Sequence, residues 1–194
     1  ADIGYSVVTD EERAELGLPP ASKCPDQQLY AKGDPPKYVL SMRGTDELKD
    51  WKTNAKQALG FKDTSYNEAI ANARQLRSKG VDVELTGHSK GGGMAAAAAS
   101  AAGLPATTFN AAGVHDQTLL EAGLTEEQIA GTAKNVEAYH NEKDPLNLIQ
   151  DNRKLILATG ASAGAFGGPI GPLISAALGF VLQSGGLPKA FGRR

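Results

Sequence analysis

The chain has 194 residues, 41% of them hydrophobic, which suffices for one sizeable core and leaves too little for a second full domain. A formal charge of −2 with no dense basic cluster argues against nucleic acid, or an anionic membrane, as a partner drawn in by long-range attraction. The single cysteine, Cys24, excludes an internal disulfide framework and a cysteine-paired zinc site.

In chain order, the opening stretch ADIGYSVVTDEERAELG has no basic start followed by an apolar run, so no signal peptide is visible. Gln28 to Lys32 reads as a strand, the turn signal Gly33-Asp34-Pro35-Pro36 follows it, and Lys37 to Arg43, KYVLSMR, is a second strand ended by Gly44. From Asp46 to about Leu59 the apolar spacing is helical. A further helix is expected from Ser65, where SYNE has the Ser-x-x-Glu form of a capping box, to Lys79, with Gly80 as its stop. Val81 to Thr86 is the next strand, and the alanine run from Gly92 to Ala102 is a strong helix former with small side chains. A short strand at Ala106 to Asn110, a helical start at Thr125 to Gln128 and a strand at Asn135 to His140 complete the readable elements. Strands alternating with helices predict an α/β fold, a mostly parallel sheet with helices on both faces, whose functional residues gather at the carboxyl ends of the strands.

The segment between strand and alanine helix carries the chemistry. Gly87-His88-Ser89-Lys90-Gly91 fits G-x-S-x-G in its meaningful setting, a strand before and a helix after. A serine on so tight a turn needs neighbours without a β-carbon, and its hydroxyl then lies at the positive head of the helix, where an oxyanion is favoured. Ser89 is therefore the candidate nucleophile, and the backbone N–H of Lys90 the expected oxyanion donor. His88, inside the same turn, is expected to point away from its mouth as a packing residue.

Three stretches together resemble the class 3 lipases of the α/β-hydrolase superfamily and their bacterial relatives, which include lipase effectors. They are LTGHSKGGG; VLSMRGTDELKDW, similar to a strand ending in Arg-Gly-Ser/Thr followed by Asp-Trp; and NVEAYHNEKDPLNLIQ, which looks like the strand whose exit loop carries the triad acid. Lys90 stands where the family more often has Leu and resembles a bacterial subgroup with Lys. The resemblance implies that Thr45 supplies the second oxyanion donor, that Asp50 and Trp51 are structural, and that Asp144, rather than Glu142 or Asp151, is the triad acid.

The resemblance also implies a histidine base after the acid, and none follows Asp144. The chain contains only His88, His115 and His140. Several readings stay open: a base beyond Arg194, His115 or His140 acting out of the usual order, a base deliberately lost, or a non-catalytic binding relative. Residues 155–188 carry no charge. Gly160, Gly164, Gly167 and Gly168 interrupt their first half, and Leu173 to Leu182 is too short to cross a bilayer. A core helix, a lid or acyl-chain wall, and membrane insertion remain as alternatives for them.

The expectation is thus one α/β-hydrolase domain over 1–194, with its core over about 28–150. It would act as a serine lipase or phospholipase on lipid esters through an acyl-enzyme, needing no cofactor and no metal. A soluble esterase or thioesterase is the neighbouring alternative. By analogy with effectors delivered by contact-dependent secretion, a cognate immunity protein and transient contact with a membrane surface are expected partners, and export would follow a non-classical route.

Overall fold

The computed structural model describes residues 3–44, 64–114, 116–127, 129 and 133–140. Thr45, His115, Asp144, the helix expected over 46–59 and the charge-free stretch 155–188 lie outside the described residues.

The first strand, β1 (Ser6–Val7), leads into α1 (Asp10–Glu15). Thr9 caps that helix with a reciprocal box: Glu12 N–H donates to Thr9 Oγ1 at 3.3 Å and Thr9 N–H to the Glu12 carboxylate at 2.8 Å. Asp10, Glu11 and Glu12 place negative charge at the positive end of the helix. Strands β2 (Gln27–Lys32) and β3 (Lys37–Met42) pair antiparallel, with Leu29 opposite Leu40. Helix α2 (Thr64–Ser78) begins one residue before the expected cap, so Ser65 sits inside its first turn, and its hydroxyl donates to Asp26 Oδ2. Strand β4 (Val83–His88) runs two residues later than expected, straight into Ser89. It is followed by α3 (Lys90–Ala102), β5 (Ala106–Phe109), α4 (Asp116–Glu121) and β6 (Val136–Tyr139). A helical turn after Thr125 is present, with Ile129 N–H donating to the Thr125 carbonyl at 2.9 Å.

The six strands form one sheet in the order β1-β2-β3-β4-β5-β6, antiparallel from β1 to β3 and parallel from β3 to β6. The chain is an α/β protein with a mostly parallel sheet. Its core forms where Leu29, Leu40, Met42, Leu85, Ala106 and Val136 of the sheet meet Tyr66, Ala69, Ile70, Ala73 and Leu76 of α2. Between them runs α3, buried along its length from Gly91 to Ser100. A helix with no solvated face needs small apolar side chains if a sheet and a second helix are both to approach it, and the alanine run meets that need. The helix ends where the sequence places Gly103, which adopts φ +66° and donates its N–H to the Ala99 carbonyl.

Among the described residues nothing lies within 4 Å of a β-carbon added at Gly103, so what opposes one there is the backbone conformation. Gly103→Ala should therefore destabilise by about 1 kcal/mol with no change in the denaturant m-value, checked by urea unfolding. An effect near zero would mean that this cap does not constrain the end of α3.

Candidate active site

Ser89 links the end of β4 to the start of α3 with φ 56° and ψ −124°, a backbone conformation that side-chain-bearing residues rarely adopt. The strain is held from both sides. Its N–H donates to the Phe109 carbonyl of β5 at 3.1 Å, and its carbonyl accepts from Gly93 N–H at 3.1 Å and Ala112 N–H at 2.9 Å. A serine at a helix start normally uses its hydroxyl to cap the first turn. Ser89 makes no such bond, which leaves its oxygen for other chemistry. The side chain lies at the floor of the strand ends, 4% exposed, rather than on the open surface.

The glycines around it are required by packing. A β-carbon on Gly87 would run into the Gly91 carbonyl, and one on Gly91 would strike the carbonyl of Met42 at the end of β3. The first turn of α3 therefore rests backbone to backbone on two strand ends. Gly93 N–H makes the bond back to Ser89, and the first turn of α3 sets the positive pole of the helix at the serine. From the other side, a β-carbon on Gly44 would lie 2.8 Å from the His88 carbonyl and 3.5 Å from Ser89 Cβ, so the chain leaving β3 passes directly against the serine. Thr45 is the next residue.

The Lys90 side chain, 13% exposed, turns toward the loop before β2, where its Nζ lies 3.7 Å from Asp26 Oδ2. The same carboxylate oxygen accepts from Ser65 Oγ at 3.1 Å, and the Asp26 carbonyl accepts from Arg43 N–H at 2.8 Å. No local pattern marks Asp26. The nearest hint is Lys90 itself, an ammonium where the resemblance expects Leu and so in need of an acid.

His88 is exposed, contrary to the packing role expected for it, because β4 continues through it and alternation turns it to the face opposite Leu85 and Gly87. Its partner in the ladder is Phe109, which stacks on Tyr139 at 5.6 Å with both rings exposed, 46% and 57%. His140, one residue past β6, is exposed as well. A groove of about 420 Å³ lies by Gly103, Thr107, Lys134 and Glu137, at the opposite, amino-terminal ends of the strands. It is remote from Ser89, and its Glu84 already accepts from the Thr107 hydroxyl at 2.5 Å. Among the described residues no group of three or more His, Cys, Asp and Glu side chains is placed to hold a metal ion.

A strained serine whose hydroxyl is not spent on capping, set at a helix head, is an arrangement that can attack an acyl carbon and hold the resulting oxyanion. Comparison with known proteins matches residues 1–191 to the phospholipase-like family described as the Tle-like phospholipase domain. The chain belongs to that family. Among characterised proteins, the extracellular phospholipase A1 of Serratia liquefaciens is 36% identical over 162 residues, which cover 79% of this chain and 50% of the relative. The chain thus spans about half the length of the curated relative it matches. In this Tle-like phospholipase domain the described part of the candidate site is the elbow of β4 and α3, the exit of β3 and the Asp26 loop.

Gly91→Ala should cost more than Gly103→Ala, about 3 kcal/mol or more, because a backbone carbonyl rather than a movable side chain stands in the way. Urea midpoints of the two variants compare them directly; equal values would refute the close packing of α3 on β3.

Proposed function

We propose that this Tle-like phospholipase domain hydrolyses a carboxylic ester of a phospholipid through an acyl-enzyme on Ser89, and that the sn-1 ester is its target. The observation that carries the reading is the conformation of Ser89: a residue held at φ 56° whose hydroxyl caps nothing, with glycines packed on both sides of it. Family membership supports phospholipid as the substrate class, and the name of the Serratia relative supports the sn-1 position.

In this reading Ser89 Oγ attacks the ester carbonyl carbon while a base takes its proton. The carbonyl π electrons move onto oxygen, and the oxyanion is held by the backbone N–H groups of Thr45 and Lys90. Collapse expels the lysophospholipid oxygen, which receives the proton, and water then repeats the sequence to release the fatty acid and free Ser89. Asp144 orients the base. The order serine, acid, histidine would place that base after Asp144, where these 194 residues hold no histidine, and His115 and His140 are the candidates within them that could take the proton out of that order. A role as an exported antibacterial effector countered by an immunity protein extends the reading by analogy with the lipase effectors that the sequence resembles.

Ser89→Ala should lower phospholipid hydrolysis by at least about 10³-fold and abolish labelling by a fluorophosphonate, with the fold retained. Phosphatidylcholine carrying different acyl chains at its two positions identifies the ester cut: release of the sn-1 acid is expected, and release of the sn-2 acid alone would overturn that assignment. Undiminished hydrolysis by Ser89→Ala would end the proposal as a whole. His115→Ala and His140→Ala decide the base: a loss like that of Ser89→Ala in either assigns it there, and turnover within about threefold of the parent in both removes them from the role.

A further inference from the structure

Asp26 lies far from the elbow in sequence, yet three segments of the site converge on it. Its carbonyl accepts from Arg43 N–H at 2.8 Å, two residues before Thr45. Its Oδ2 accepts from Ser65 Oγ of α2 at 3.1 Å and lies 3.7 Å from Nζ of Lys90, the residue after Ser89. We infer that Asp26 is a positioning residue for the oxyanion hole, holding Lys90 of α3 and the exit of β3 in register with each other. The inference rests on the reading of Ser89 as nucleophile.

The physical reason lies in where Lys90 sits. It is the first residue of α3, where a cation opposes the helix dipole, and its side chain is mostly buried, where an ammonium needs a counter-charge. Both conditions favour swinging the side chain out to solvent. The Asp26 carboxylate opposes that swing, and Ser65 fixes the carboxylate. Losing this contact loosens the Lys90 stem, and with it the peptide between Ser89 and Lys90 whose N–H, in this reading, faces the developing oxyanion. Donors at such a site must be aimed to within tenths of an ångström, so small rotations of this peptide weaken the transition state more than they weaken substrate binding. Asp26 touches no reacting atom in this scheme and acts only through Lys90 and the β3 exit.

The test compares Asp26→Asn, which keeps the volume and an oxygen for Ser65, with Lys90→Met, which keeps the stem and the amide. In each, kcat on phosphatidylcholine should fall about 10- to 100-fold while KM stays within about twofold. Affinity for a long-chain alkyl boronic acid, whose serine adduct is tetrahedral, should fall in proportion to kcat/KM. Asp26→Glu should restore part of the loss, and Asp26→Asn with Lys90→Met together should be no worse than either alone, since both remove one interaction. If Asp26→Asn does not fold, Lys90→Met carries the same readings. Unchanged kcat, or a kcat loss with boronate affinity intact, overturns the inference. A normal kcat in Asp26→Asn alongside an inert Ser89→Ala removes this inference alone, whereas an active Ser89→Ala removes the reading beneath it.

Discussion

The architecture depends on a backbone crossing. The first turn of α3 lies against the ends of β3 and β4 at a distance that leaves no room for a side chain on Gly87 or Gly91. That closeness bends the chain so sharply at Ser89 that φ becomes positive, and the bend is held by the Ser89 N–H donating to the Phe109 carbonyl and by the N–H groups of Gly93 and Ala112 donating to the Ser89 carbonyl. Strain of this kind, of order 1–3 kcal/mol, persists only when the surroundings over-determine it. Here the sheet ladder, the helix and the β5 exit all act on one residue.

From that crossing follow the electrostatics of the site. Three amides at a helix head make a positive pole, and an ammonium placed on the same turn adds to it. A carboxylate reaching in from the loop before β2 lets the ammonium stay, and the antiparallel pairing of β2 with β3 brings that loop within reach. The meander at the start of the sheet therefore does more than extend the core. It delivers Asp26 to the same corner that the parallel strands build.

Features set by neighbours in sequence were readable, and those set by sheet pairing were not. The elbow and the helix after it are local patterns, and the structure bears out their places in the fold. The box at Thr9 to Glu12 is equally local and could have been read from Thr-x-x-Glu, which forecasts α1. Asp26 is different in kind, because only the alignment of β2, β3 and β4 places it beside Lys90. Ser65 differs from its expected place at the helix start for a related reason: α2 begins at Thr64, and the Ser65 hydroxyl donates to a carboxylate in a distant loop that only the tertiary fold brings near. The two-residue displacement of β4 reflects the ladder, in which β3 carries pairing as far as Met42 opposite Gly87 and so draws the strand into the glycine turn and leaves His88 outside the core. Thr45 and Asp144 came from resemblance to a family rather than from spacing, and they lie outside the described residues.

The run from Met94 to Ser100 has the monotony of a low-complexity tract, yet every one of its side chains is enclosed. Such uniformity is the mark of a position where volume is rationed. From Ala95 to Ala99 only methyl groups separate the helix from its surroundings, so it lies close against the sheet and α2 with little room to roll or slide. Immobility along the axis carries through to its first residue, and the plainest stretch of the chain thereby becomes the ruler against which the corner at Ser89 is set.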